Sequence, residues 1–334
     1  MTTKQGARLF GRRAALAMLA GPAACVLLAP ASARAEYPER PIRVIIPFAA
    51  GGGADTTARI IQNPLQQALG QPIVIENRPG AAGNVGIGAA AKAAHDGYTL
   101  LLTSSVFTSN PATAKQKLYD PIKDFEPIVS FGGSPNVIAA NPKLGIKTLP
   151  ELIAFAKANP GKLNYSTPGV GTPSQLGIEL LTLQTGAKFQ HVPYGGGSPA
   201  VQAAVAGHVE LTVVNIASVI SLIRSGQLVA VTQTGPVRWH ELPDVATQQE
   251  SGVNGADYDV YYSLMAPSGV PKPIVERLRK ALDEIVARKE VQEQLLKAGV
   301  DARTGSNAEA LRARIAREVA MWKDVVQKAG IKVD

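Results

Sequence analysis

From Pro41 onward, short apolar runs of strand length alternate with apolar residues repeated at helical spacing. This alternation restricts the chain to an α/β fold. Residues 42–46, Ile-Arg-Val-Ile-Ile, read as a buried strand, and Ala58, Ile61, Leu65 and Leu69 mark one face of a helix. Residues 73–75 read as a second strand, 86–94 as a helix of small residues and 98–102 as a third strand. A βαβαβ order predicts a parallel sheet with right-handed crossovers. Pro64 falls inside the first helix, where its missing N–H predicts a kink or an end.

A second alternating set begins after Pro142. Thr148-Leu-Pro-Glu151 is a capping box opening a helix with Leu149, Leu152, Ile153 and Ala156 on one face. Strands follow at 163–166, 189–192, 211–214 and 228–232, with helices at 174–185, 200–206 and 217–225. The end of the chain is helical. Pro271 and Pro273 introduce a helix carrying Ile274, Leu278, Leu282 and Ile285. A second capping box, Ser306-Asn-Ala-Glu309, opens one lined by Leu311, Ile315, Val319, Trp322 and Val326. Two long strands, 128–139 and 258–266, lie where one set gives way to the other, as segments crossing between domains would. The expected organisation is an α/β chain of two lobes: residues 36–132 and 261–334 form lobe 1, and residues 133–260 form an inserted lobe 2.

The first 35 residues differ from the rest. Lys4, Arg8, Arg12 and Arg13 form a basic segment, residues 14–28 are apolar but interrupted by Gly21-Pro22, and Ala33-Arg34-Ala35 places small residues at −3 and −1. This is the pattern of an export signal cleaved after Ala35, by the Sec or twin-arginine route, and it predicts a periplasmic protein. Removing it leaves 29 basic against 26 acidic residues, a balance of +3 in place of +8. A basic composition is then no argument for nucleic-acid binding, which needs a clustered cationic face. Cys25, the one cysteine, leaves as well, so the mature chain has neither disulfide nor thiolate chemistry.

Candidate binding residues cluster in glycine-rich turns that follow strands. Pro47-Phe-Ala-Ala-Gly-Gly-Gly-Ala-Asp55 joins the first strand to the first helix. Glycines let a ligand approach the backbone closely, and a helix N-terminus offers unpaired N–H groups to a carboxylate or phosphate. Asp55 is also placed to be the N-cap of that helix. Tyr165-Ser-Thr-Pro-Gly-Val-Gly-Thr-Pro-Ser-Gln175 and Pro193-Tyr-Gly-Gly-Gly-Ser-Pro199 have the same character in the inserted lobe. Thr103-Ser104-Ser105 follows the third strand, at the carboxyl edge where open α/β sheets bind ligands. Together these turns predict one cleft between the lobes. Enzyme motifs are missing: there is no G-x-S-x-G elbow and no Walker lysine, and the four histidines are scattered. No catalytic residue, metal ligand or cofactor site is assigned, and His191 reads as a strand-end residue.

The glycine loop, Glu76-Asn-Arg-Pro-Gly-Ala-Ala-Gly-Asn84 and Asp96-Gly-Tyr-Thr-Leu-Leu101 together resemble the Bug family, the TctC-like extracytoplasmic receptors of tripartite tricarboxylate transporters. The likeness continues through Tyr119-Asp-Pro-Ile-Lys-Asp-Phe-Glu-Pro127, Val192-Pro-Tyr194 and Gly207-His-Val-Glu210. It implies a type II periplasmic-binding fold, with two lobes joined by two crossing strands and a ligand cleft between them. It also implies that backbone N–H groups and ordered waters hold a ligand carboxylate at Pro47, Phe48, Gly51, Gly52 and Asp55. Further contacts would come from Ser104, Ser105, Thr167, Gly171, Thr172, Gln175, Tyr194 and Asn215. Gln175, Gly195 and Val214 depart from the family's frequent His, Lys and Asp, which makes the lobe 2 wall less charged. The implied function is that of a monomeric periplasmic receptor. It would capture a small carboxylate, such as a di- or tricarboxylate, an amino acid or an aromatic acid, for inner-membrane transporter subunits. A carboxylate-sensing receptor with a signalling partner and an exported α/β enzyme are the alternatives.

Overall fold

The computed structural model describes residues 37–331, apart from 236, 256–257 and 303–304. The expected leader, its cleavage point and Cys25 lie outside these residues. Among the described residues the alternating pattern resolves into two five-stranded sheets. The first is built from β1 (Ile42–Ile46), β2 (Ile73–Asn77), β3 (Thr99–Ser104), β4 (Phe125–Ser134) and β10 (Val260–Pro267), in the order β2-β1-β3-β10-β4. The second holds β5 (Asn136–Ala140), β6 (Leu163–Thr167), β7 (Phe189–Pro193), β8 (Leu211–Asn215) and β9 (Val229–Gln233), in the order β7-β6-β8-β5-β9.

The βαβαβ segments pair in parallel, β1 with β2 and β3, and β6 with β7 and β8. Each sheet also takes one antiparallel strand, which periodicity does not reveal: β10 lies between β3 and β4, and β5 between β8 and β9. The first crossing segment is not one strand. Pro135 has no N–H for a ladder, so β4 ends in one sheet at Ser134 and β5 begins in the other at Asn136. The returning strand begins at Val260, within the first sheet.

Helix α1 (Gly53–Leu69) runs through Pro64 to Leu69. Its stripe of Ala58, Ile61, Leu65 and Leu69 is buried in the core of the first sheet, and that burial outweighs the one lost hydrogen bond. Gly70, in the left-handed conformation, then closes the helix by donating its N–H to the Gln66 carbonyl at 2.9 Å. The expected capping box of α4 (Leu149–Ala158) is present on both sides: Thr148 Oγ accepts from Glu151 N–H, and Glu151 accepts from Thr148 N–H. The second box is shifted by one residue. Ser306 exchanges backbone hydrogen bonds with Ser130, which holds it extended, and Asn307 caps α10 (Ala308–Ala329) instead. Residues 217–225 form a 3₁₀ turn followed by the short α7 (Ile220–Arg224).

Helix α10 ties the two cores together. Leu311 and Ile315 pack with Ile45, Phe107 and Tyr261 against the first sheet. Trp322, Val325 and Val326 pack with Leu163, Tyr165, Leu176 and Tyr258 against the second. A buried polar network fixes its middle. Glu318 accepts from Thr108 Oγ at 2.7 Å, Tyr261 Oη at 2.9 Å and Arg314 Nε at 2.6 Å.

Candidate functional site

The glycine loop leaves β1 and enters α1 at the carboxyl edge of the first sheet. Gly51 needs its residue type, since its φ is +83°. The N-cap is Gly52, with no side chain to cap the first turn, so the early N–H groups of α1 receive no side-chain acceptor there. Asp55 is therefore not the N-cap but sits at the third helical position. It is buried and holds the loop from below. One carboxylate oxygen accepts from Gly51 N–H (2.9 Å) and Arg59 Nε (2.9 Å), the other from Arg59 Nη2 (3.1 Å) and Asn77 Nδ2 (3.2 Å). The Arg59 contact, helped by the Gly51 N–H and Asn77, holds the Asp55 carboxyl below the usual carboxylate range against the opposing effect of burial. Asn77 also donates to the Phe48 carbonyl at 3.1 Å, so the end of β2 and the loop are tied through one side chain. The paired guanidinium neutralises Asp55 next to a helix end suited to an anion.

Other expected residues gather around this loop. Phe48 is half-buried and lies over Gly83, while Pro47 packs against Gly86 at the start of α2 (Asn84–Ala91), where a Cβ would lie 2.7 Å from Pro47 Cα. Ser104 ends β3, and Ser105 begins α3 (Val106–Thr113). The Ser105 and Thr103 hydroxyls are buried without a hydrogen-bond partner among the described residues. From the second sheet, the β6 loop reaches the first lobe: a Cβ on Gly171 would lie 2.4 Å from Thr113 Oγ1. Val170 shares a cavity of about 390 Å³ with Ala81, Ala82, Asn84, Asn110 and Thr113. The β6 loop thus meets α3 and the turn that opens α2.

The lobe 2 side chains are largely occupied with holding their own loop. Thr167 Oγ1 is 2.7 Å from His191 Nε2 and accepts from Gly169 N–H at 3.2 Å. Thr172 donates to the Gly169 carbonyl at 2.8 Å and caps α5 (Pro173–Thr185). Gln175 accepts from Gly171 N–H at 2.7 Å. Tyr194, which precedes α6 (Gly197–Ala206), uses its N–H on the Thr167 carbonyl. Asn215 is anchored to Ser134 and caps the turn at Ala217, so its side chain serves the junction between the sheets. His191 lies within β7, stacked on Tyr165 at 5.0 Å. Burial lowers its pKa to about 4, so it is neutral at pH 7 and adds no cation to this wall.

Some of the positioning residues escaped sequence reading. Arg59 had a signal in its i+4 spacing from Asp55, and Asn77 stands at the end of β2. Gly80, Ala81, Ala82 and Gly83 form an unbroken run of positive φ, with Ala81 at 45° and Ala82 at 52°. Strain of this kind, about 1–3 kcal/mol per residue, persists only where neighbours enforce it. Here Asn110 of α3 donates to the Ala82 carbonyl at 2.8 Å. Gly53 and Tyr262 were also missed, because their contact joins residues 209 positions apart.

Known proteins share this fold and much of the sequence. The family model described as tripartite tricarboxylate transporter family receptor matches residues 57–331. Protein BugT of Bordetella pertussis is 36% identical over 312 residues, covering 92% of this chain and 94% of that protein. A solved periplasmic transporter is 37% identical, with a TM-score of 0.76 over 89% of this chain and 100% of its own. MatC from Rhodopseudomonas palustris, solved with bound malate, is 31% identical with a TM-score of 0.73, covering 87% and 100% of the two chains. An R. palustris protein solved with adipate is 29% identical with a TM-score of 0.76, covering 89% and 99%. The two-lobed α/β architecture and these matches together make the chain a member of the tripartite tricarboxylate transporter receptor family, the Bug or TctC-like solute-binding proteins.

Proposed function

We propose that this receptor captures a small carboxylate in the cleft between its two sheets, releases it unchanged, and presents it to the membrane subunits of a tripartite transporter. The observation that carries this reading is the N-terminus of α1. A glycine cap leaves the first N–H groups without a side-chain acceptor, beside an Asp55 carboxylate already neutralised by Arg59. Such a turn binds an anion through backbone N–H groups and the helix dipole, with no cationic side chain required. Malate and adipate in the two solved relatives belong to the same ligand class. The ligand set is proposed as Pro47, Phe48, Gly51 and Gly52 with Ser104 and Ser105 on one wall. Gly171, Tyr194 and the turn held by Thr167, Thr172 and Gln175 form the other wall, while Asp55 and Asn215 act as positioning residues.

The leader-like first 35 residues support export to the periplasm, where the receptor is proposed to act as a monomer. Residues 36–132 with 261–334 make up one lobe and 133–260 the other, and α10 packs against the cores of both. The test is a thermal-shift screen over carboxylic acids, on protein stripped of bound ligand by unfolding and refolding. A receptor shows saturable one-site stabilisation and returns the acid unchanged. Consumption of the acid would favour an enzyme, and stabilisation by no acid would remove the carboxylate reading.

A further inference from the structure

We propose that the Tyr262 hydroxyl is a ligand-binding group that donates, together with Ser104, to the carboxylate held at the N-terminus of α1. The proposal rests on the carboxylate-receptor reading given above and specifies which side chains complete that site.

Strand alternation places these groups. Along β3, Leu100 and Leu102 point into the core beneath α1, whereas Leu101 belongs to the core on the other face. Ser104, two residues beyond Leu102, therefore points to the α1 face. Along β10, Leu264 and Ala266 lie in the α1 core and Tyr262 packs against it, whereas Tyr261 and Met265 face the other way. Tyr262 and Ser104 are register partners in the antiparallel β3–β10 pair, which brings their side chains side by side on that face.

The Tyr262 hydroxyl then stands directly over the start of α1. A Cβ on Gly53 would lie 2.0 Å from Tyr262 Oη and 2.7 Å from Cζ, so the third glycine of the run is required by the tyrosine. Within the described residues neither the Tyr262 nor the Ser104 hydroxyl has a hydrogen-bond partner, although Ser104 is buried and Tyr262 mostly so. A tyrosine placed only for packing would use its ring. This one brings its O–H to a helix start whose first N–H groups receive no side-chain cap. Burial raises its pKa to about 12, so it stays protonated and can only donate to an anion at neutral pH. Gly52–Gly53 N–H groups, Ser104 and Tyr262 thus form a cradle of neutral donors matched to one carboxylate. Because Tyr262 belongs to the strand that returns from the second lobe, the contact also links ligand to the crossing segment.

Tyr262→Phe removes one oxygen and keeps the ring. Isothermal titration of refolded, ligand-stripped protein with malate, adipate and benzoate, each beside its carboxamide analogue, tests the assignment. For any of these acids that binds the wild type, the variant is expected to bind about 10- to 150-fold more weakly, the loss for one hydrogen bond to a charged acceptor. The preference for acid over amide should shrink by a similar factor, while the ligand-free melting temperature stays unchanged. Gly53→Ala, which forces the ring away, should reproduce the loss. A Tyr262→Phe protein whose affinity stays within about twofold of wild type overturns the assignment of Tyr262 and leaves the receptor reading standing. A wild type that binds none of the three acids and no acid of the thermal-shift screen overturns both.

Discussion

Replacing Asp55 by Asn tests whether the glycine loop is held in shape by a charge. The carboxylate has two oxygens, each accepting two hydrogen bonds: Gly51 and Arg59 on one side, Arg59 and Asn77 on the other. An amide keeps one acceptor and introduces a donor among donors. At a site only 2% exposed, an unsatisfied or mismatched group costs about 1–3 kcal/mol. Removing a negative charge from the first turn of α1 adds about 0.3–1 kcal/mol. A total of about 1–4 kcal/mol, divided by an unfolding entropy of about 0.6 kcal/mol/K for roughly 300 residues, lowers the melting temperature by about 2–7 °C. The pH dependence identifies the cause. The folded pKa of Asp55 lies below its unfolded value, so its contribution is present above the unfolded pKa and lost as pH falls through the folded one. Melting curves of ligand-free wild type and Asp55→Asn should differ fully at pH 7. The gap should narrow below about pH 4. Both proteins share every other titrating group, so the gap isolates Asp55. A gap absent at pH 7, or one that stays constant down to pH 3, would refute the charge-clamp explanation.

Two further substitutions separate binding from folding. At Gly52, φ is −78° and the nearest atom to an added Cβ is the Ala49 carbonyl oxygen at 3.6 Å, so Gly52→Val should fold with a near wild-type melting temperature. By blocking ligand approach it should still weaken carboxylate affinity by about 10- to 150-fold in titration calorimetry, and unchanged affinity would take the loop out of the site. Gly177→Ala should do the reverse: its Cβ would lie 2.1 Å from Tyr258 Cζ, in a core where Tyr258 and Trp322 pack edge to face. Overpacking of about 1–3 kcal/mol exceeds the helix-propensity gain of about 1 kcal/mol, so thermal unfolding should show a lower melting temperature. A stabilised Gly177→Ala protein would show that Tyr258 moves aside freely.

The amino-acid sequence by itself determined the α/β class, most elements and the positions of the anion-compatible turns. These features rest on local causes: helical and strand periodicity, glycines that permit positive φ, and Thr148 with Glu151 at a helix start. It also places the one cysteine, Cys25, in the leader-like segment. Only the tertiary structure decided how each turn is used. Periodicity does not encode strand direction, so the antiparallel β5 and β10 became visible only with their partners. A lone sequence gives Asp55, Gln175, Thr172 and Asn215 equal standing as polar residues near a cleft. The fold commits Asp55 to Gly51, Gln175 to Gly171, Thr172 to the cap of α5 and Asn215 to Ser134. Among the described residues it leaves the hydroxyls of Ser105 and Thr103 without hydrogen-bond partners. Tyr262 lies in a stretch that reads simply as a strand, and its hydroxyl reaches Gly53 only because β10 returns from the second lobe to pair beside β3. Hydrogen-bond satisfaction is a property of neighbours in space, and those neighbours are set by long-range pairing that no local pattern specifies.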